Sequence, residues 1–290
     1  MNRFTIKDIE NLSGIKAHTW RVWEQRYGID TAQRKDSNHR FYGYENLKGI
    51  LRIAYLYHCG TKISKIAKLG SDEIKRLALE KRPIENENEF YIKELVEASV
   101  DLDEERFEYT LSEVIGRIGM ADAILKVLYL YQKKIGVLWL TDHIIPAQEH
   151  FTSNIVMRKL AVAIDTLPDA TRTDKGILLF TPPHELHELP LKFIYYLLKK
   201  NGKKVIYLGS NVPLAVLKTT GENFSFSHIY FHLVTNLTGN TADNYLLQLG
   251  STFADKTIVM SGTEVLRVTD VPENVRLLKS MDEIVAFTNE

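Results

Sequence analysis

Two groups of side chains in this sequence could do chemistry. The first is Glu185-Leu186-His187, inside the stretch Pro182-Pro183-His184-Glu185-Leu186-His187-Glu188-Leu189-Pro190. A carboxylate two residues before a histidine can hold the imidazole in one tautomer and leave its other nitrogen free to ligate a metal. By spacing alone, His184 and His187 also read as ordinary exposed loop histidines. The second group is cationic and lies near the N-terminus. Trp20, Trp23 and Tyr27 recur at steps of three and four, so they form one helical stripe, most simply a buried one. His18 and Arg21 fall on other faces of the same helix, where they can reach phosphates or base edges. Arg34, Lys35 and Arg40 follow in a polar loop without apolar periodicity.

The elements that must carry these groups are legible in the pattern. Thr5-Ile6-Lys7-Asp8 is a capping-box-like helix start, with a hydroxyl to accept an N–H and a carboxylate at the positive end of the dipole. Ile6, Ile9 and Leu12 share one face, Ser13-Gly14 breaks the chain, and a second helix begins near Lys16. Two short helices around a glycine-containing turn form the helix-turn-helix pattern, whose second helix enters the major groove of DNA. Charge agrees with this. Residues 1–70 hold thirteen Lys and Arg against six Asp and Glu, a net of +7, while the other 220 residues hold 24 basic against 31 acidic, a net of −7. A neutral chain with its positive charge at one end carries the footprint of a phosphate-contacting module.

A polar stretch over residues 71–88 ends this region. Helical patterns follow to about residue 167. Phe90, Ile92, Leu95 and Val96 begin the first, Asp103 caps the second, the third runs from about Met120 to Trp139, and the fourth follows Pro146. The third is apolar nearly all round, as the central helix of an antiparallel bundle would be. From Lys175 the period changes. Short apolar runs at 176–180, 204–209, 229–234 and 257–260 alternate with helices, one of them spanning Leu191 to Lys199, which predicts a parallel sheet buried on both faces. Ligands of such sheets bind at the carboxyl ends of the strands. The Glu185/His187 loop follows the first strand, and so lies on that edge.

The 44% hydrophobic content supports two or three cores in 290 residues. No apolar run approaches the length of a membrane helix, and no signal peptide is visible, so a cytoplasmic protein with no membrane partner is expected. The single Cys59 excludes an internal disulfide and reads as a small packed residue.

Residues 15–42 resemble the winged helix-turn-helix of the MerR family of bacterial regulators. Thr19-Trp20-Arg21-Val22-Trp23-Glu24-Gln25-Arg26-Tyr27-Gly28 is similar to that family's recognition helix, and Arg34 with His39-Arg40-Phe41-Tyr42 to its wing. The resemblance continues through Leu47, Ile53, Gly60, Ile63 and Ile66. It implies a double-stranded DNA operator contacted by His18, Thr19, Arg21, Tyr27, Arg34, Arg40 and Tyr42. It also implies a homodimer or higher homo-oligomer on inverted repeats. Further along, Trp139 followed after nine residues by Glu149-His150 resembles the helical cap of cobalamin-dependent MerR-family regulators, among them the light-sensing repressors of carotenoid genes. The Glu185/His187 loop resembles the D-x-H-x-x-G loop of their Rossmann-like domains.

The resemblance implies a multidomain α and α/β chain. Residues 1–75 would be the DNA-binding domain, 85–167 a four-helix bundle and 174–290 a Rossmann-like cobalamin-binding-type domain. His187 would ligate the cobalt of adenosyl- or methylcobalamin, Glu185 would orient it, and Trp139, Glu149 and His150 would hold the upper ligand. The function implied is not enzymatic: a transcriptional regulator in which cobalamin controls oligomerisation and operator binding. Pro190 stands where that loop has Gly, His232-Leu233-Val234 where the wider family has S-x-L, and Ser261-Gly262 where it has Gly-Gly. An imidazole at 232 would fill the slot of the cobalamin nucleotide tail. Leu140 stands where light-sensing members have a cobalt-capturing His, which argues against light sensing by that route. Two other functions suit the same architecture: a regulator that has lost cobalamin and uses its back half for dimerisation or protein interaction, and a corrinoid methyl carrier.

Overall fold

A computed structural model describes residues 4–29, 33–34, 40–80, 87–140, 146–170, 176–235, 237 and 241–290. The chain divides into two compact units, Met1–Ile155 and Val156–Glu290.

The first unit opens with α1 (Ile6–Ser13), whose capping box joins Thr5 and Asp8 reciprocally, and which Gly14 ends at φ 72°. That left-handed conformation suits glycine. α2 (Ala17–Tyr27) follows and buries Trp20, Trp23 and Glu24. Two short antiparallel strands, β1 (Gln33–Arg34) and β2 (Arg40–Phe41), form the wing. Beside it Phe4 and Tyr42 exchange backbone hydrogen bonds of 2.8 and 2.9 Å. α3 (Tyr44–His58), α4 (Ile63–Ile66) and α5 (Ser71–Glu80) complete the head.

The helical segment comprises α6 (Glu87–Asp101), α7 (Glu104–Ala123), α8 (Tyr129–Leu140) and α9 (Pro146–Asp165), with a π-helical turn at Ile124–Leu128. Asp103 caps α7 by accepting from the Arg106 amide, as its sequence position predicts. α7 is interrupted at Gly119, at φ 78° and ψ 160°, one residue before the expected start of the third helix at Met120. The most continuously buried stretch is in α6, whereas residues 120–135 alternate buried, half-buried and exposed positions. Every residue from Tyr91 to Ser99 is buried, Lys93, Glu94 and Glu97 included. Glu97 and Glu94 are neutralised from other helices by Arg52 and Arg106, and Lys93 pairs with Glu94 within α6.

The second unit alternates strand and helix: β3 (Gly176–Phe180), α10 (Glu188–Lys200), β4 (Val205–Gly209), α11 (Leu214–Asn223), β5 (Phe226–His232), α12 (Ala242–Thr252), β6 (Thr257–Ser261), β7 (Val275–Leu278) and α13 (Met281–Asn289). A 3-10 turn, Thr263–Arg267, follows β6. The sheet order is β4-β3-β5-β6-β7, and every pairing is parallel. Leu178, Phe180, Ile229, Phe231, Ile258 and Met260 pack with α11 and α12 on one face. Ile177, Leu179, Tyr230 and Val259 pack with α10 and α13 on the other. That two-sided burial is why these strands read as continuous apolar runs. Two expectations are corrected. α10 begins at Glu188, three residues before Leu191, because Pro190 in a first helical turn gives up an N–H that has no intrahelical partner. β7 and α13 were not foreseen: β7 is short and Arg276 interrupts its apolar run.

Candidate functional site

The order β4-β3-β5 places β3 at the point where successive connections leave toward opposite sides of the sheet. Crevices open there at the carboxyl ends of the strands. The loop after β3 carries Glu185, and the loop after β5 carries Val234 and Thr235. One carboxylate joins them. Glu185 Oε2 accepts from the Val234 amide at 2.8 Å, the Thr235 amide at 2.9 Å and Thr235 Oγ1 at 3.1 Å. Its Oε1 accepts from the His187 amide at 2.9 Å and lies 2.5 Å from His187 Nδ1. Burial alone would raise this carboxyl's pKa. The hydrogen bonds from His187, Thr235 and Val234 outweigh it and hold the value at about 2. Glu185 is therefore an ionised anchor.

The consequence falls on His187. Glu185 engages Nδ1, so any metal ligation by this imidazole would run through Nε2, and the side chain is half exposed. The loop is fixed from below as well. Thr181 Oγ1 donates to the Glu185 carbonyl at 2.6 Å and accepts from the Asn211 amide at 3.0 Å. Asn211 Oδ1 accepts from the His184 amide at 2.9 Å. His184 and Asn211 both hold positive φ, 67° and 60°, an uncommon conformation kept by these bonds. Leu186, beside His187, and Leu266, in the 3-10 turn after β6, are among the most exposed hydrophobic side chains described. Both lie at the carboxyl edge of the sheet.

Next to this loop, Tyr230, His232 and Ser261 form a buried polar set on the α10 side. Tyr230 Oη donates to Ser261 Oγ at 2.6 Å, and Ser261 Oγ lies 2.7 Å from His232 Nδ1. Sequence reasoning singled out Glu185, His187, His232 and Ser261, but not Thr181, Asn211, Tyr230 or Thr235. The last four carry no local signature, since each has a partner 27 to 50 positions away.

Of the other expected cofactor residues, Glu149 is on α9 and accepts from Ser153 Oγ at 2.5 Å. Exposed His150 has its Nδ1 3.3 Å from Glu149. Trp139 and Leu140 lie in the last turn of α8, and their side chains fall outside the described residues. So does the whole of His143.

The head presents a second surface. Trp20 is fully buried and Trp23 nearly so, stacked edge-to-face on Tyr57 at 4.8 Å. Their burial turns His18 and Arg21 outward as exposed side chains, with Thr19 and Tyr27 half-buried at the margin. Arg34 and Arg40 face each other across the wing, as a backbone pair. Their side chains lie outside the described residues. Tyr42 is a correction. It is fully buried and its backbone is paired with Phe4, so it anchors the wing to the chain's start instead of facing DNA. Among the described residues no helix is long and apolar enough to cross a membrane.

Residues 4–73 match the MerR HTH family regulatory protein family, and residues 91–164 match the B12 binding domain. The chain is 26% identical over 216 residues to the HTH-type transcriptional repressor CarH of Myxococcus xanthus, covering 72% of each chain. It is 27% identical over 218 residues to the HTH-type transcriptional repressor CarA of the same organism, covering 73% of this chain and 70% of the relative. In fold it resembles the monomethylamine corrinoid protein of Methanosarcina barkeri, with a TM-score of 0.57 and 14% identity over 70% of this chain and 98% of that one.

Proposed function

We propose that this chain, a MerR-family transcriptional regulator with a cobalamin-binding-type domain, senses a corrinoid and converts its binding into a change of oligomeric state and operator affinity. The observation that carries this reading is the Glu185–His187 pair at the strand switch point. A carboxylate on Nδ1 fixes the tautomer and raises the basicity of Nε2, the arrangement a metal-ligating histidine needs. Nε2 is a borderline ligand suited to cobalt. The exposed Leu186 and Leu266 offer apolar surface at the same edge for the flat face of a macrocycle. When bound, the corrinoid would supply a large apolar surface and an upper cobalt ligand. His187 binds, Glu185 orients, and Thr181 and Asn211 keep the loop in place. Trp139, Glu149 and His150 are assigned to the upper ligand by resemblance alone, and Leu140 offers no ligand for a light response.

At the other end, His18, Thr19 and Arg21 on α2 face the major groove, Tyr27 lies at its margin, and Arg34 and Arg40 bring the wing to the phosphates. Phosphate contacts position such a head and base-edge contacts specify the site. A homodimer on an inverted repeat follows from the two-fold symmetry of such sites.

The test is an absorption spectrum of the purified chain after incubation with adenosyl-, methyl- and hydroxocobalamin and with cobinamide, in the dark and in light. A coloured protein whose colour is lost in His187→Ala is expected. A chain that takes up none of the four overturns the reading.

A further inference from the structure

We propose that the corrinoid this chain selects lacks the lower nucleotide, being of the cobinamide type, and that His232 and Ser261 set that selection. The inference rests on the reading that His187 ligates cobalt. In cobalamin the nucleotide hangs from the lower face of the corrin, the face a protein histidine would ligate. Ligation by His187 would displace the base and drive the ribose phosphate against the protein beside His187. His187 is the N-cap of α10, and α10 lies on the sheet face that carries Tyr230 and Val259. Side chains alternate along a strand, so His232 shares this face with Tyr230 while Phe231 points to the other.

That space is taken by the chain itself. Leu191 and Ile194 of α10 and Ile284 and Phe287 of α13 close on Tyr230, Val259 and Leu278. Above them Tyr230, Ser261 and His232 are hydrogen-bonded in series. Tyr230 and Ser261 are fully buried and His232 is 8% exposed. The polar set is self-consistent. Ser261 accepts from Tyr230 and has its own proton left for His232 Nδ1. Opening it would leave buried polar groups unpaired, which costs more than such bonds contribute. Burial also keeps His232 uncharged at neutral pH, so it offers no cation to a phosphodiester. Gly262 gives no added room, because a Cβ there would lie 2.1 Å from the Leu233 carbonyl oxygen. The ends of β5 and β6 are closed on each other, backbone to backbone. A nucleotide tail would have to break this arrangement. A corrin without the tail needs only His187 Nε2 and the outer edge.

The experiment titrates the purified full chain with diaquocobinamide and, separately, with hydroxocobalamin, following the absorption change as the imidazole replaces water in the first and the nucleotide base in the second. Cobinamide is expected to bind at least tenfold more tightly. His232→Ser/Ser261→Gly is expected to raise hydroxocobalamin affinity about tenfold while leaving cobinamide affinity unchanged. Equal or tighter binding of hydroxocobalamin by the unaltered chain overturns this inference and leaves the corrinoid reading standing. Binding of neither overturns both. The comparison on the unaltered chain holds whether or not the double variant folds.

Discussion

Arg52 on α3 and Glu97 on α6 meet in a two-pronged ion pair, Nη2 to Oε2 at 2.7 Å and Nε to Oε1 at 3.1 Å, with Glu97 fully buried. The pair joins the DNA-binding head to the helical segment within one compact unit. Arg106 on α7 extends it, donating to Glu97 at 2.9 Å and to Glu94 at 2.6 Å, and Lys93 reaches Glu94 at 2.8 Å. At the margin Lys48 pairs with Asp101 at 2.9 Å. Burial raises the Glu97 pKa, but the Arg52 hydrogen bond and the charges of Lys93, Arg52 and Arg106 bring it below the ordinary value. The carboxylate is therefore charged and neutralised in place.

Removing Glu97 leaves the Arg52 guanidinium without its acceptor, a loss of about 3–5 kcal/mol, while removing Arg52 leaves Glu97 still paired with Arg106 and is expected to cost less. Arg52→Met and Glu97→Gln are each expected to lower the urea midpoint of the first unit. Arg52→Met/Glu97→Gln should lose less than the sum of the single losses, since the second substitution does not break again a pair already lost. Additive losses in the double-mutant cycle would show that the two residues do not act as a pair.

A pH effect follows from the second unit. Burial pushes the His232 imidazole down from its ordinary 6.5 to about 4, so the unfolded chain takes up a proton before the folded one does. Stability contributed by neutral His232 is whole above about pH 6.5 and is lost as pH falls toward 4. Glu185, depressed from 4.5 to about 2, adds a second loss between those values. His232→Asn is expected to flatten the upper part of the curve and leave the lower part. Urea unfolding at pH 7.5, 5.5 and 3.5 measures this, and an unchanged slope between 7.5 and 5.5 in the variant would count against it.

Glu185→Gln tests orientation separately from ligation. The amide is nearly isosteric but cannot accept from every donor around Glu185 as the carboxylate does. Loss of such an outer-shell partner costs a metal site about 10- to 100-fold in affinity. Corrinoid affinity is expected to fall by that order, with His187→Ala removing coordination altogether. Equal losses in the two variants would mean that Glu185 holds the loop and does not tune the imidazole.

Much of this was legible in the sequence where the determinants are local. The Thr5/Asp8 box, the Asp103 cap, the Trp20/Trp23 stripe and the apolar strand runs are written within a few residues of themselves, and the Glu185/His187 pair is two residues apart. What was illegible depends on distant partners. The burial of Glu97 depends on Arg52, 45 residues earlier, and nothing near Glu97 in the sequence announces that partner. Tyr42 reads as a wing residue facing DNA until Phe4 is seen to pair with it. Arg276 hides β7 because a short edge strand tolerates a charge that an inner strand would not.

Arg21 and Tyr42 lie in the same head and are expected to fail in opposite ways. Arg21 is exposed on α2, so Arg21→Ala should leave the unfolding transition unchanged and weaken operator binding. If Arg21 meets a phosphate, all sequences weaken alike and the slope of log affinity against log salt falls by about 1. If it reads a base, binding weakens by about 1–3 kcal/mol on the operator and little on unrelated DNA. Arg40→Ala on the wing is expected to follow the phosphate pattern. Tyr42→Ala removes a fully buried ring beside the Phe4 bridge, a truncation of the kind that costs about 3–5 kcal/mol in a core. It should lower the head's unfolding midpoint, with DNA binding lost in proportion to the unfolded fraction. Normal stability with selective loss of DNA binding in Tyr42→Ala would return that residue to the DNA surface.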